Sequence, residues 1–218
     1  MRSSFDRRVV PGWAIDYLRE LQGQTDSRLV GGAALAGGWL SHRLSRDLDL
    51  FFIEPAEQRA AVATAGRLAG EHGLAFQAVQ DSGAFFRGRL RSGEQELELD
   101  LIHDPLPDIG VIQEIEGVRV ASLEDLRASK LTCILSRSEP RDLVDLLFLE
   151  RAGFQPEDDL AGALQKDAGI DPSTLAWLLK EFPTDPLPRM LEPLTSTELD
   201  AWRAELAGRM KSFSLGER

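Results

Sequence analysis

The sequence has little of several features, and each shortage excludes a class of protein. Its single cysteine, Cys133, excludes an internal disulfide and any cysteine-rich metal site. No apolar run approaches the roughly 20 residues that a membrane-spanning helix needs. The stretch MRSSFDRRVV lacks the apolar core of a secretory signal. We therefore expect a cytoplasmic protein that does not bind a membrane.

Positive charge is also scarce, because 25 Lys and Arg residues face 36 Asp and Glu residues, for a net charge of −11. This balance argues against a protein that coats nucleic acid without specificity, since such binding needs a basic surface. It leaves open a local basic groove on an acidic body. It is also compatible with a basic protein partner.

Hydrophobic periodicity divides the chain near residue 121. Before this point, helices are predicted over 13–21, 33–40 and 56–71, and strands over 28–30, 48–53, 74–79, 84–91, 95–103, 111–115 and 118–120. After it, helices are predicted over 123–137, 140–152, 156–166, 172–181 and 196–210. We expect an α+β fold, with a mixed β-sheet and helices over residues 1–121 and an all-helical domain over 122–218.

Two carboxylates lie on one of the predicted strands. Asp47 and Asp49 are two residues apart in the stretch DLDLFFI, and side chains alternate along a strand, so both point to the same face. Leu48 and Leu50 then point into the core. Two close negative charges repel unless a cation or a proton neutralises them, and Mg²⁺ prefers carboxylate and phosphate oxygens. The pair therefore predicts a site for a hard divalent cation.

A third carboxylate lies on a later strand with the same alternation. In the stretch EQELELDLIH, leucines alternate with Glu96, Glu98 and Asp100. If this strand neighbours the one that carries Asp47 and Asp49, Asp100 joins their site, and we favour that interpretation for Asp100. For Glu96 and Glu98 we favour the alternative, which is a row of acids on an exposed strand face.

A glycine pair, Gly31 and Gly32, follows the short strand over 28–30 and precedes a predicted helix. Because glycine has no Cβ, the backbone N–H groups here can approach phosphate oxygens closely, and the start of a helix attracts anions. A glycine pair is a weak signal by itself. Followed by Asp-x-Asp on the next strand, it predicts a phosphate cradle opposite a metal site.

Four blocks, in this order, resemble one known family: GGAALA, HRLSRDLDLF, SLEDLRASKL and SRSEPRDLVDL. The glycine pair, the Asp-x-Asp and the later Leu-Asp-Leu resemble nucleotidyltransferases of the polymerase-β type. The blocks together resemble the AbiEii/AbiGii toxin branch of that superfamily, over about residues 29 to 150. Gly32 departs from the pattern, since many members have serine there, and it offers phosphate no hydroxyl. The helices after about residue 155 match no motif of the family.

The resemblance implies a nucleotidyltransferase fold and transfer of a nucleotidyl group from a nucleoside triphosphate (NTP) to an acceptor hydroxyl. It implies that Mg²⁺ or Mn²⁺ is held by Asp47, Asp49 and Asp100, and that Asp100 also helps to activate the hydroxyl. Arg43 and Ser45, in the block R-x-S-x-D-x-D, would contact phosphate or brace the metal loop. The implied acceptor is tRNA or another RNA, and a toxin of this branch is held off by a cognate antitoxin.

In the helical half, Lys130 and Arg137 are seven residues apart and therefore share one helix face. By the same resemblance, Lys130 contacts the triphosphate, Arg137 adds to the nucleotide site, and Asp142 orients Lys130 or the nucleotide. The alternative is a set of surface ion pairs among Arg137, Arg141, Asp142 and Asp145, each worth about 0–1 kcal/mol.

Arg87, Arg89 and Arg91 alternate along the predicted strand over 84–91, so they face one side. The tripeptide Ser92-Gly93-Glu94 predicts a hairpin loop that leads to the strand of Asp100. The arginine row is a candidate track for a nucleic-acid backbone. An edge strand charged against aggregation is the alternative.

Two other functions stay open at this point. One is a small-molecule nucleotidyltransferase, for example one that modifies an aminoglycoside; an acidic acceptor cleft favours it, whereas an arginine-lined cleft favours RNA. The other is a catalytically silent relative that serves as a binding module.

Overall fold

The computed structural model describes residues 3–216. Internal contacts group the chain into two units, of which the first ends at Ser122 and the second begins at Leu123. Among the described residues, all strands belong to the first unit, and the second unit is helical. The expected α+β fold, a mixed sheet with helices followed by a helical half, is confirmed.

The strands of the first unit are β1 (Arg28–Val30), β2 (Asp47–Phe52), β3 (Ala75–Asp81), β4 (Phe85–Ser92), β5 (Gln95–His103), β6 (Gln113–Ile115) and β7 (Val118–Val120). They form one sheet in the order β3-β4-β5-β2-β1-β7-β6. The β2–β5 and β1–β7 pairs are parallel, and the other pairs are antiparallel. The two strands that carry the predicted carboxylates are therefore neighbours.

Burial alternates along β2. Leu48, Leu50 and Phe52 are completely buried, whereas Asp47 and Asp49 are partly exposed. This alternation is what a strand with one apolar face requires. The two aspartates consequently share the other face of the sheet, as the sequence predicts.

Two helices of the first unit, α1 (Gly12–Gln24) and α2 (Pro55–Glu71), contact each other, and α2 contacts β2, β3 and β5. The Tyr17 hydroxyl on α1 donates a hydrogen bond to the Ala65 carbonyl on α2, at 3.1 Å. These helices cover the buried, leucine-bearing face of the sheet. The carboxylate face is therefore turned away from them.

Residues Ala33–Leu40 form a π-helix, in which the backbone hydrogen bonds reach five residues back instead of four. The sequence predicts a helix over these residues but not its wider winding. A Cβ on Gly37 would lie 2.7 Å from Val10 Cγ2, and a Cβ on Gly38 would lie 2.8 Å from Ile115 Cδ1. The two glycines thus let neighbouring segments pack directly against the helix backbone.

The helices of the second unit are α3 (Leu123–Ser136), α4 (Pro140–Arg151), a 3₁₀ helix (Pro156–Asp159), α5 (Leu160–Lys166), α6 (Pro172–Lys180) and α7 (Ser196–Ser214). The single helix predicted over 156–166 is wrong in detail, since a 3₁₀ turn precedes α5. In that turn Asp159 accepts a hydrogen bond from Arg127 of α3, at 2.9 Å. Within residues 3–216, no helix is both long and apolar enough to cross a membrane.

Candidate active site

Three predicted carboxylates lie side by side on the sheet of the first unit. The parallel register pairs Asp49 of β2 with Asp100 of β5, and Asp47 with Glu98. Paired residues on adjacent strands are about 4.8 Å apart and point to the same face. The strand neighbourhood that the sequence analysis required for Asp100 is therefore present, and Glu98 is a fourth acid of the same face.

Asp100 has a cationic partner on its other side, Arg87 of β4. The guanidinium donates to both carboxylate oxygens, with Nε 2.8 Å from Oδ1 and Nη2 2.6 Å from Oδ2. Such a two-point contact is the strongest geometry of an arginine–carboxylate pair. The hydrogen bonds to Asp100 raise the pKa of the Arg87 guanidinium, and partial burial opposes them less strongly.

The carboxylates of Asp47, Asp49 and Asp100 have the chemistry that a divalent cation needs, but their arrangement in this structure is not that of a complete metal site. Carboxylate oxygens are the ligands that Mg²⁺ and Mn²⁺ prefer, and Asp47, Asp49 and Asp100 supply them from two adjacent strands. In the described part of the chain, however, no three His, Cys, Asp or Glu side chains are grouped so that they could hold a metal ion. Both Asp100 oxygens instead accept hydrogen bonds from Arg87.

The glycine pair lies directly against the acidic face. Gly31 has φ +67°, and a Cβ built on it would lie 2.2 Å from Oδ2 of Asp49. A Cβ on Gly32 would lie 2.7 Å from Oγ of Ser45 and 2.9 Å from Nη2 of Arg43. Each glycine thus leaves space that a predicted site side chain fills. The structure brings Gly31 to Asp49, and Gly32 to Arg43 and Ser45.

Arg43 is almost completely buried, and its Nη1 donates to the Leu44 carbonyl at 2.9 Å. Of the two roles that the resemblance implies, this position suits bracing of the loop before β2 better than direct contact with phosphate. Ser45 lies in the same loop and is less buried. Its hydroxyl occupies the space beside Gly32, where a serine side chain at position 32 would begin.

The predicted arginine row is part of a ladder of opposite charges. The antiparallel register places Arg87, Arg89 and Arg91 of β4 opposite Asp100, Glu98 and Glu96 of β5. Arg87 Nη1 lies 3.2 Å from Glu98, and Arg89 Nε lies 3.2 Å from Glu96. The alternative of a charged edge strand is wrong, because β4 lies between β3 and β5. A role in nucleic-acid binding stays a prediction, with much of the positive charge matched by acids.

A second polar cluster lies within the helical unit. The Lys130 ammonium on α3 lies 2.9 Å from Asp142 Oδ1 and 2.7 Å from Asp145 Oδ2 on α4. Arg137 donates to both oxygens of Asp142, at 2.7 and 2.9 Å. Lys130, Asp142 and Asp145 are almost completely buried, so the alternative of surface ion pairs is wrong for Asp142 and Asp145. The Arg137 side chain, in contrast, is 38% exposed.

The electrostatics of this cluster keep its acid charged. Burial alone would raise the pKa of Asp142, but the charges of Lys130 and Arg137 outweigh burial and lower that pKa. Burial also raises the pKa of the Cys133 thiol next to the cluster, so the thiol stays protonated. Among the described members of the cluster, Arg137 presents the most accessible cation.

Comparison with known proteins agrees with these features. The family model described as "Nucleotidyl transferase AbiEii toxin, Type IV TA system" matches residues 18–217. The fold resembles the crystal structure of JHP933 from Helicobacter pylori, with a TM-score of 0.57 and 22% identity over 93% of this chain and 91% of that one. It also resembles a protein from H. pylori named as a candidate nucleotidyltransferase, with a TM-score of 0.57 and 20% identity over 94% of each chain.

No curated protein matches the sequence. At 20–22% identity, the two similar structures support the fold alone. The family model supports membership of the family, since it covers nearly the whole chain. The match includes the helices beyond residue 155, in which the sequence alone shows no family motif. The chain is therefore a nucleotidyltransferase and belongs to the AbiEii family of nucleotidyl transferase toxins of type IV toxin–antitoxin systems.

Proposed function

We propose that this nucleotidyltransferase transfers a nucleotidyl group from an NTP to a hydroxyl of tRNA or another RNA, with Mg²⁺ or Mn²⁺ as cofactor. The observation that carries the proposal is the adjacency of Asp47, Asp49 and Asp100 on β2 and β5, with Gly31 against Asp49. Family membership supplies the class of reaction. The metal, the acceptor and the role of each residue are proposed.

Asp47 and Asp49, joined by Asp100, would hold the divalent cation. When bound, such a cation neutralises charge on the phosphates during an in-line displacement. Asp100 also accepts the proton of the acceptor hydroxyl. The hydroxyl oxygen forms a bond to the α-phosphorus of the NTP, the bond from that phosphorus to the oxygen bridging the β-phosphate breaks, and pyrophosphate leaves.

The glycine pair would serve the phosphates of the same nucleotide. Gly31 and Gly32 lie where the helical segment begins, so their backbone N–H groups are available to an anion at the positive end of that segment. Arg43 and Ser45 fill the space beside Gly32 and hold the loop before β2 in place. A bracing role of this kind positions Asp47 and Asp49 without contact to substrate.

In the helical unit, we assign Lys130 and Arg137 to the triphosphate. Arg137 is partly exposed and can offer its guanidinium directly to phosphate, while Asp142 fixes its direction through two hydrogen bonds. The ammonium of Lys130 adds positive charge from within the cluster. Asp142 is thus proposed as the residue that orients both cations.

The proposed RNA acceptor rests on the row of Arg87, Arg89 and Arg91, which share one face of β4. Phosphate contacts from arginine position a nucleic acid without reading its sequence. A small polycationic acceptor, such as an aminoglycoside, is the second candidate. It is favoured by the acids of the same ladder, since Glu96 and Glu98 lie opposite the arginines.

The family places the chain among toxins of toxin–antitoxin systems. We therefore propose a cognate antitoxin as its protein partner and the cytoplasm as its location. A net charge of −11 suits an antitoxin with a basic contact surface, because opposite charges steer association.

The test is to incubate the protein with each α-labelled NTP, Mg²⁺ and total cellular RNA, and to ask where the label appears. We expect label in RNA, and we expect Asp49→Asn to reduce it by at least about 100-fold, because loss of even an outer partner of a metal ligand costs about 10–100-fold. The same variant should abolish growth inhibition when the protein is produced without its antitoxin. Unchanged turnover by Asp49→Asn would contradict the mechanism, and label in an added aminoglycoside but not in RNA would favour the second candidate.

A further inference from the structure

The carboxylate of Asp100 lies between Arg87 on one side and, on the Asp49 side, the place where a divalent cation would bind. Because β5 lies between β2 and β4, the register gives Asp100 one neighbour in Asp49 and another in Arg87. All three side chains share one face of the sheet. The Asp49 side is where a divalent cation would bind, and the Arg87 side is already occupied by a guanidinium that bonds both oxygens of Asp100.

Arg87 is also the counter-ion of the wider acidic face. Its Nη1 lies 3.2 Å from Oε2 of Glu98, and the negative charges of Glu98 and Asp47 raise the pKa of its guanidinium in addition to the larger effect of Asp100. Without a cation, carboxylates this close repel one another. Arg87 therefore offsets, in the metal-free protein, part of the repulsion that a divalent cation would offset in the loaded protein.

The two partners of Asp100 differ in their freedom to move. The Asp100 side chain is 5% exposed, while the Arg87 side chain is 35% exposed. The Arg87 guanidinium is carried by a long, flexible aliphatic stem. A cation beside Asp100 would meet the positive guanidinium within a few ångströms, where like charges repel. Arg87 is consequently the group that must yield.

We infer that Arg87 is a positioning residue that competes with the divalent cation for Asp100 and leaves that carboxylate when the cation binds. The inference rests on the proposed function, because it takes the metal to be held by Asp47, Asp49 and Asp100. In the free protein, Arg87 offsets part of the negative charge of the acidic face. Metal binding completes the three-carboxylate site by displacing it.

The test compares Arg87→Gln with Arg91→Gln in a titration with Mn²⁺, without nucleotide or RNA, using the electron paramagnetic resonance signal of unbound Mn²⁺. Arg91 is a matched control, because it lies on the same strand and face and loses the same charge, but it lies opposite Glu96 and not opposite Asp100. We expect Arg87→Gln to bind Mn²⁺ about tenfold more tightly than wild type, and Arg91→Gln to change little. Equal affinities for Arg87→Gln and Arg91→Gln would overturn the inference.

The same titration separates this inference from the proposed function. If Asp49→Asn abolishes Mn²⁺ binding but Arg87→Gln binds no more tightly than wild type, the metal site stands and the inference about Arg87 fails. If neither wild type nor Arg87→Gln binds Mn²⁺, the inference fails together with the metal dependence on which it rests.

A second measurement needs no substitution in the observed protein. In ¹⁵N-labelled wild type, the Nε–H signal of Arg87, identified by its loss in Arg87→Lys, reports its hydrogen bond to Asp100. Saturation with diamagnetic Mg²⁺ should shift this signal and leave the Nε–H signal of Arg91 nearly unchanged. An Arg87 signal that stays in place while Mg²⁺ saturates the site would overturn the inference, whatever the stability of the variants.

Discussion

Inside the helical unit, the ammonium of Lys130 lies 2.7 Å from the carboxylate of Asp145, and both side chains are almost completely buried. An intact buried ion pair adds little net stability, but removal of Asp145 leaves Asp142 to balance both Lys130 and Arg137. Because Lys130 keeps this second carboxylate, we expect Asp145→Ala to lower the free energy of unfolding by about 2–3 kcal/mol, less than the loss of an isolated buried partner costs. Urea unfolding followed by circular dichroism measures this loss.

The control for that experiment is a pair on the surface of the same helix. Arg141 on α4 pairs with Glu139, and both side chains are about one-third exposed or more. Arg141→Ala should change the unfolding free energy by less than about 1 kcal/mol. If Asp145→Ala costs no more than Arg141→Ala, Lys130 does not depend on Asp145 for its charge balance.

The lowered pKa of Asp142 predicts a pH dependence with a definite sign. Burial opposes ionisation of this group, but Lys130 and Arg137 together lower its folded-state pKa. A carboxyl group of this kind contributes stability above its unfolded pKa of about 3.9, and the contribution is lost as pH falls through the folded pKa. The difference in unfolding free energy between wild type and Asp142→Asn should thus be full near neutral pH and shrink below about pH 4.

Urea unfolding of both proteins between about pH 7 and pH 3 measures that difference. Asp142→Asn removes the titrating group while keeping its shape, so the other carboxyl groups affect both proteins alike. A difference that stays constant across this range would mean that Asp142 does not titrate with a lowered pKa.

Part of the active face follows from local sequence rules. The strand alternation places Asp47 and Asp49 together, and the hairpin predicted at Ser92-Gly93-Glu94 determines which residues of β4 and β5 face each other. Ser92 pairs with Gln95, so counting back along both strands puts Arg87 opposite Asp100. The charge ladder was therefore predictable, although the sequence interpretation treats the arginine row and the acid row separately.

Other parts depend on contacts that no local pattern contains. The parallel pairing of β2 with β5 needs a crossover through a helix and two strands, and its register follows from packing of the whole unit. In the π-helix of Ala33–Leu40, Gly37 and Gly38 lie against Val10 and Ile115, which are distant from each other in the sequence. The burial of Lys130 likewise depends on how α3 packs against α4, which the spacing of charged residues does not reveal.

Many family members have serine where this chain has Gly32, and a substitution tests whether Ser45 supplies the hydroxyl in its place. A side chain there would begin 2.7 Å from Oγ of Ser45, so Gly32→Ser should crowd that hydroxyl and lower both stability and nucleotidyl transfer. In the double variant Gly32→Ser/Ser45→Ala the crowding with Ser45 is relieved, whereas the approach of the new Cβ to Nη2 of Arg43, at 2.9 Å, remains. We expect the double variant to recover part of the melting temperature and activity lost in Gly32→Ser. Losses that simply add would contradict a shared position for the two hydroxyls.

Gly31 and Gly73 share the same backbone angle, φ +67°, but differ in their surroundings. A Cβ on Gly31 would lie 2.2 Å from Oδ2 of Asp49, whereas one on Gly73 would meet no atom of the described residues within 4 Å, its own chain neighbours aside. Gly73→Ala should cost about 1–2 kcal/mol of backbone strain and leave nucleotidyl transfer intact. Gly31→Ala carries the same strain, must also displace Asp49, and should reduce transfer by at least about tenfold.

The comparison of these two variants separates strain from site geometry. Melting temperatures report the stability of each variant, and label transferred from NTP at a temperature well below both melting points reports activity. Equal activity in Gly31→Ala and Gly73→Ala would mean that the position of Asp49 beside the glycine pair does not matter for the reaction. A selective loss of activity in Gly31→Ala would indicate that catalysis needs the Asp49 carboxylate in its place against the backbone of Gly31.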